Sequence, residues 1–177
     1  MTTFTHLDPA GQARMVDVTE KSPTVRSATA TSVVHCSPEV VEQLREESVP
    51  KGDVFAVARI AGINAAKKCA DLLPLAHVIG VHGASVQVDL DDQGVHISAT
   101  VRTADRTGVE MEALTAASVA ALAVVDMVKG IDRGTWISHV RLEAKDGGRS
   151  GAWRRPPTGE STGAEEDRPG QSGGGAR

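Results

Sequence analysis

Between Glu112 and Asp126 run thirteen consecutive residues without a charge, ALTAASVAALAVV, of which only Thr115 and Ser118 are clearly polar. Alanine and branched aliphatics at this density predict an α-helix packed inside protein. Thirteen residues fall short of the roughly 20 that span a bilayer, and no apolar run in the chain nears that length. The alanines would let a second backbone come close, so the helix is expected to lie on its own sheet and also against another subunit. Its ends are ionisable: Glu110 and Glu112 open it, Asp126 and Lys129 close it. At about 100° per residue Glu112 and Asp126 share a face, and a rise of about 1.5 Å per residue puts them about 21 Å apart. One small reacting group cannot touch both. Either the ligand is long, or each site takes one end from each of two subunits. Lys129 follows Asp126 by three residues, within pairing distance on a helix.

A second helix is expected over 51–74, KGDVFAVARIAGINAAKKCADLLP, with Asp53 as its cap and Pro74 as its stop. Lys51 precedes it and His77 follows it, again more than about 20 Å apart if the rod is straight. Right-handed crossovers would make the two helices parallel. Lys51 would then neighbour the glutamates, and His77 would neighbour Asp126 and Lys129. Two clusters per chain follow, which a twofold partner could bring together. Helix-start N–H groups beside the Lys51 ammonium form an anion seat suited to phosphate, to which Arg26, Arg106 and Arg149 could add guanidinium contacts.

The remaining pattern predicts a strand over 24–37, a short helix over 37–48, a hairpin whose strands VHGASVQVDL and GVHISATVRT flank DDQG, and a strand over 135–145. Strand, helix, strand, strand, helix, strand is the order of an α+β, ferredoxin-like split βαβ fold: an antiparallel sheet with helices on one face. The domain is expected over 23–154, between a flexible arm at 1–22 and a Gly- and Pro-rich tail at 155–177 whose composition argues for disorder.

A net charge of −4 with two Phe, two Trp and no Tyr argues against a nucleic-acid binder. The N-terminus lacks the layout of a secretion signal, no membrane span is expected, and Cys36 and Cys69 read as reduced structural thiols of a cytoplasmic protein. The six histidines form no ligand-spaced set, so no metal site is expected. His77 stands out among them, placed between a helix stop and a strand. Phosphate-loop, dinucleotide and nucleophile-elbow motifs are absent from the sequence.

ARMVDVTEK (13–21), KGDVFAVARIAGINAAKK (51–68), RTGVEMEALTAASVAALAVVDMVKG (106–130) and GGRSG (147–151) closely resemble the cyclic pyranopterin monophosphate synthase family, the MoaC-type enzymes of molybdenum-cofactor biosynthesis. The likeness runs in order from about residue 5 to 153. It implies a ferredoxin-like lyase, a homohexamer built as a trimer of dimers, with active sites at subunit interfaces. It also implies a substrate, (8S)-3′,8-cyclo-7,8-dihydroguanosine 5′-triphosphate, converted to cyclic pyranopterin monophosphate with release of pyrophosphate. No cofactor is required, with room for Mg²⁺ alongside the triphosphate. By this resemblance Asp126, Lys129, Lys51 and His77 are catalytic, and Leu75, Ala76, His77, Met111 and Glu112 contact substrate. Asp126 and Lys129 would shuttle protons; Lys51, Arg26 and Arg149 would hold phosphates. The chain departs from the family pattern at Ala76 and Val128, where cysteine is usual, at Val78 for proline, and at Arg149 for lysine. Those changes give the alternative reading, a paralogue that binds a pterin or nucleotide phosphate without efficient turnover.

Overall fold

Alternation over the first strand, β1 (Thr24–His35), puts Ala28, Ala30, Ser32 and Val34 on one buried face, with Thr29, Thr31, Val33 and His35 on the other. The computed structural model describes residues 10–157, so the start of the arm and the tail from residue 158 on lie outside the described residues. After β1 come α1 (Pro38–Arg45), α2 (Val54–Lys67), the single turn α3 (Cys69–Leu72), β2 (Gly83–Asp91), β3 (Gly94–Asp105), α4 (Glu110–Val128), β4 (Trp136–Asp146) and β5 (Trp153–Arg154). The strands form one antiparallel sheet in the order β2-β3-β1-β4-β5. The fold is α+β, as expected.

Local chemistry sets the element ends. The Ser37 side chain accepts from the Val40 N–H to start α1, with Pro38 in the first turn, and the Asp53 carboxylate does the same from Ala56 at 2.9 Å to start α2. The hairpin turns on Asp91, whose Oδ1 accepts from the N–H groups of Gln93 (2.8 Å) and Gly94 (3.0 Å). The long helix expected over 51–74 is two pieces. At Lys68 the bonding tightens, its N–H reaching Ala65 three residues back, and the single turn α3 follows with Cys69 buried. The strand β5 was not expected; it pairs Lys145 with Trp153 and Ala144 with Arg154.

The helices α2 and α4 pack together on the sheet face formed by Ala28, Ala30, Ser32, Val34, Val95, Ile97, Ala99 and Val101. Small residues allow this close approach: Ala113, Ala116, Ala117, Ala120 and Ala121 of α4 are fully buried, and Ser32 Oγ donates to the Ala117 carbonyl at 2.9 Å. By length and composition α4 is apolar enough to cross a bilayer, a correction to the reading of run length, but half of that stretch is buried inside this protein. The parallel arrangement expected of α2 and α4 is also corrected. Lys51, just before α2, reaches Asp126 at the far end of α4, so the two helices run antiparallel. The cause is the sheet. Neighbouring strands β1 and β3 are antiparallel, and each is followed by a helix that returns along its own strand.

Candidate active site

At the C-terminal end of α4 three side chains form one cluster. Lys129 Nζ lies 2.6 Å from Asp126 Oδ1, and Lys51 Nζ lies 3.3 Å from Oδ2. Lys51 also donates to the Asp126 carbonyl oxygen at 2.5 Å. That carbonyl belongs to the last turn of the helix, where oxygens lack helical partners and the dipole favours a cation. Two ammonium groups therefore answer a carboxylate and a helix end at once. Hydrogen bonds from Lys129 first and Lys51 second hold the Asp126 carboxyl below its usual value of 3.8. All three side chains are about half exposed, so the cluster is open to a ligand. The anion seat expected at the start of α2 is answered by the chain's own Asp53 carboxylate, and the nearby ammonium is shared with Asp126.

At the opposite end of α4 a cavity of about 280 Å³ is lined by Leu75, Ala76, His77, Met111 and Glu112, together with Val16, Val18 and Lys21 of the N-terminal arm. Pro74 ends the helical region, and a turn in which Ala76 N–H bonds Leu73 O swings His77 toward the start of α4. His77 Nε2 lies 2.6 Å from the Val16 carbonyl oxygen. A carbonyl only accepts, so Nε2 carries a proton and donates, leaving Nδ1 for other work. Glu112 is 4% exposed. Burial pushes its carboxyl above the usual 4.5 and the Glu110 charge adds to that, against its own backbone N–H, the Cys69 thiol and His77. A carboxyl that resists ionisation beside an imidazole can hold or deliver a proton.

A wider groove of about 740 Å³ holds Arg26 and Arg149 with Lys21, Ser22, Thr24, Gly148 and Ser150. Its wall is the loop over 147–151, where Gly147 and Gly148 adopt φ of 87° and 73°, a region costly to residues with a Cβ. Arg26 is anchored by Nε to the Asp105 carbonyl at 3.1 Å and by Nη2 to that of Arg106 at 3.3 Å. Arg106 in turn donates to the Lys21 carbonyl at 2.9 Å, tying the arm down. Lys21 lines both the cavity and the groove, so the two adjoin.

Residues 15–148 match the MoaC family. The chain belongs to it. Among its relatives, a cyclic pyranopterin monophosphate synthase of Streptomyces coelicolor is 59% identical over 152 residues, covering 86% of this chain and 89% of that protein. One from Chloroflexus aurantiacus is 53% identical over 155 residues, covering 86% and 95%. Another from Geobacter sulfurreducens is 50% identical over 154 residues, covering 86% and 96%.

For this member of the MoaC family the candidate residues fall into three places: Lys51, Asp126 and Lys129; His77 with Leu75, Ala76, Met111 and Glu112; and Arg26 with Arg149. Two end-clusters were expected, but their membership is exchanged: Lys51 stands with Asp126, and His77 with Glu112. Three residues of the arm, Val16, Val18 and Lys21, escaped the sequence reading as site members. Their signal lay in the motif ARMVDVTEK alone, since nothing in local periodicity links residue 16 to a histidine 61 positions away. Among the described residues no group of three or more His, Cys, Asp or Glu side chains is arranged to hold a metal ion.

Proposed function

We propose that this chain catalyses the cyclic pyranopterin monophosphate synthase reaction of molybdenum-cofactor biosynthesis, as a lyase acting on (8S)-3′,8-cyclo-7,8-dihydroguanosine 5′-triphosphate. The observation that carries this is sequence identity of 50–59% over 86% of the chain to relatives of that name. Making a cyclic monophosphate from a triphosphate requires a substrate hydroxyl oxygen to attack the α-phosphorus while the bond to pyrophosphate breaks. The hydroxyl proton must leave, and negative charge grows on the departing group.

The cluster at Asp126 suits proton transfer: its carboxylate stays ionised between two ammonium groups, one to accept a proton and the others to return it. Glu112 and His77 form a second proton-handling pair at the other end. Arg26, Arg149 and Lys21 offer fixed positive charge to phosphate oxygens along a groove adjoining that pair. Mg²⁺, where used, enters as the counter-ion of the triphosphate.

The fourteen-residue interval along α4 between Glu112 and Asp126 leaves the two proton-handling clusters about 21 Å apart in one chain. Of a long ligand and a shared site, we assign the shared one: each working site combines the Asp126 cluster of one copy with the His77 cavity of another. The homohexamer built as a trimer of dimers is the assembly we assign to this arrangement, and the strand order with helices on one face supports the ferredoxin-like reading of the fold. Exposed apolar side chains on the outward faces, Val57 and Ile60 of α2 and Leu122 of α4, support burial against other copies. The enzyme is assigned to the cytoplasm.

Purified protein given the cyclised dihydroguanosine triphosphate should release pyrophosphate and a pterin product, and Asp126→Ala or Lys129→Ala should abolish both. Tight binding without product would overturn the assignment in favour of a non-catalytic paralogue.

A further inference from the structure

Of the two guanidinium groups at the wider groove, Arg26 is fastened to the carbonyls of Asp105 and Arg106, whereas Arg149 has no side-chain hydrogen bond or ion pair among the described residues. Arg149 therefore stands where the loop over 147–151 carries it. That loop lies hard against β1: a Cβ at Gly147 would run into the Val25 carbonyl, and one at Gly148 into the Arg26 guanidinium. Its return strand β5 has only two residues and two ladder pairs, too short a ladder to close a hairpin by itself. Side chains supply the closure. Arg154 of β5 grips Asp146 at the end of β4 with a fork, Nη2 donating to Oδ2 at 2.9 Å and Nη1 to Oδ1 at 3.3 Å. Nη1 also donates to the Lys145 carbonyl at 3.1 Å, and Lys145 Nζ donates to the Ser150 hydroxyl inside the loop. Beyond β5 the Arg155 N–H donates to the Glu143 carbonyl at 2.8 Å and its Nε to the Leu142 carbonyl at 2.7 Å.

We propose that Asp146 and Arg154 are positioning residues for Arg149: their forked ion pair latches the 147–151 loop at its base and so keeps the Arg149 guanidinium at the groove beside Arg26. Neither residue lines the groove, so both act through the loop. The inference rests on the proposed function in taking Arg149 as a holder of phosphate. Both side chains are about half exposed, where an ion pair adds little to global stability, but a bidentate fork still fixes direction. Breaking it frees a loop and leaves the sheet and its core intact. The sign of the charges makes the role separable from simple attraction. Removing the Asp146 carboxylate takes a negative charge away from the neighbourhood of a phosphate groove, which by Coulomb's law alone would tighten an anion. A latch demands the opposite.

The test titrates the full chain with pyrophosphate in a calorimeter at one fixed, low ionic strength. Asp146→Ala and Arg154→Leu should each weaken binding about three- to fivefold, and Arg149→Ala by at least as much. In the Arg149→Ala background neither change should weaken it further, since the latch has then lost the group it holds. The exchanged pair, Asp146→Arg with Arg154→Asp, should recover most of the affinity. Binding in Asp146→Ala equal to or tighter than wild type would overturn the proposal, as would losses in Arg154→Leu and Arg149→Ala that simply add. Should either single variant fail to fold, the exchanged pair and the other single variant decide: an exchanged pair that folds yet binds as weakly as that variant overturns it. The two readings fail differently. Wild-type affinity in Arg149→Ala would remove the phosphate role of Arg149 and the proposal with it. The expected pattern of pyrophosphate binding in protein that shows no turnover would leave the latch standing and remove the assigned reaction.

Discussion

Replacing Gly62 with alanine sets two opposed effects against each other where α2 crosses α4. A Cβ at this position would lie 2.9 Å from the Ala116 carbonyl oxygen, 3.0 Å from Val86 Cγ2 and 3.2 Å from Ala120 Cβ. Carbon contacts settle at about 3.5–4.0 Å, so the helices must part from each other and from β2 by about half an ångström. The nearest atom belongs to the backbone of a buried helix and cannot rotate away. Helix propensity favours alanine over glycine by about 1 kcal/mol, whereas overpacking a tight core costs about 1–3 kcal/mol. The net loss should be up to about 2 kcal/mol, which lowers Tm by up to roughly 6 °C in a domain of this size. Thermal unfolding of both proteins at the same pH and concentration measures it. A higher Tm for Gly62→Ala would mean that propensity wins, and the close approach of α2 to α4 would no longer explain the alanine stripe.

Three further outcomes are expected. Glu112→Gln should gain stability over wild type as pH rises. The wild-type carboxyl, raised above 4.5 in the fold, favours folding fully below that value and loses this contribution as pH climbs through its folded titration; a Tm difference between the two proteins that stays constant from pH 4 to 8 would refute this. The depressed Asp126 carboxyl has the opposite sign: its contribution is present above 3.8 and lost as pH falls through its folded value. Any Tm advantage of wild type over Lys51→Met should therefore close in acid, while at pH 7 turnover falls by about 10²-fold or more. Burial pushes both cysteine thiols up to about 11, so a water-soluble disulfide reagent at pH 8 should modify the native protein about 10²-fold more slowly than free cysteine; fast labelling would contradict their placement.

The alanine-rich run between Glu112 and Asp126 was legible as a buried helix, and the three-residue interval from Asp126 to Lys129 correctly pointed to an ion pair, because both follow from helical geometry alone. The partner of each cluster was not. Crossover handedness suggested parallel helices, but the direction of α2 against α4 is set by the antiparallel pairing of β1 with β3, and that pairing is already implied by the expected fold. The break at Lys68 has no proline or glycine to announce it. The arm was hidden for a different reason. A segment without periodic apolar residues shows no local pattern, and its docking through Val16 onto His77 and Lys21 onto Arg106 is entirely long-range.

Subunit mixing reaches the two-copy site most directly. Glu112→Gln and Asp126→Ala, each inactive alone, are unfolded together, refolded as mixed assemblies and assayed for pyrophosphate release. Turnover should return in the mixture, since some interfaces then pair an intact His77–Glu112 cavity with an intact Asp126–Lys129–Lys51 cluster. A mixture proven to contain both chains in one assembly yet still inactive would show that a single copy must carry both ends of α4, contrary to a site shared between neighbours.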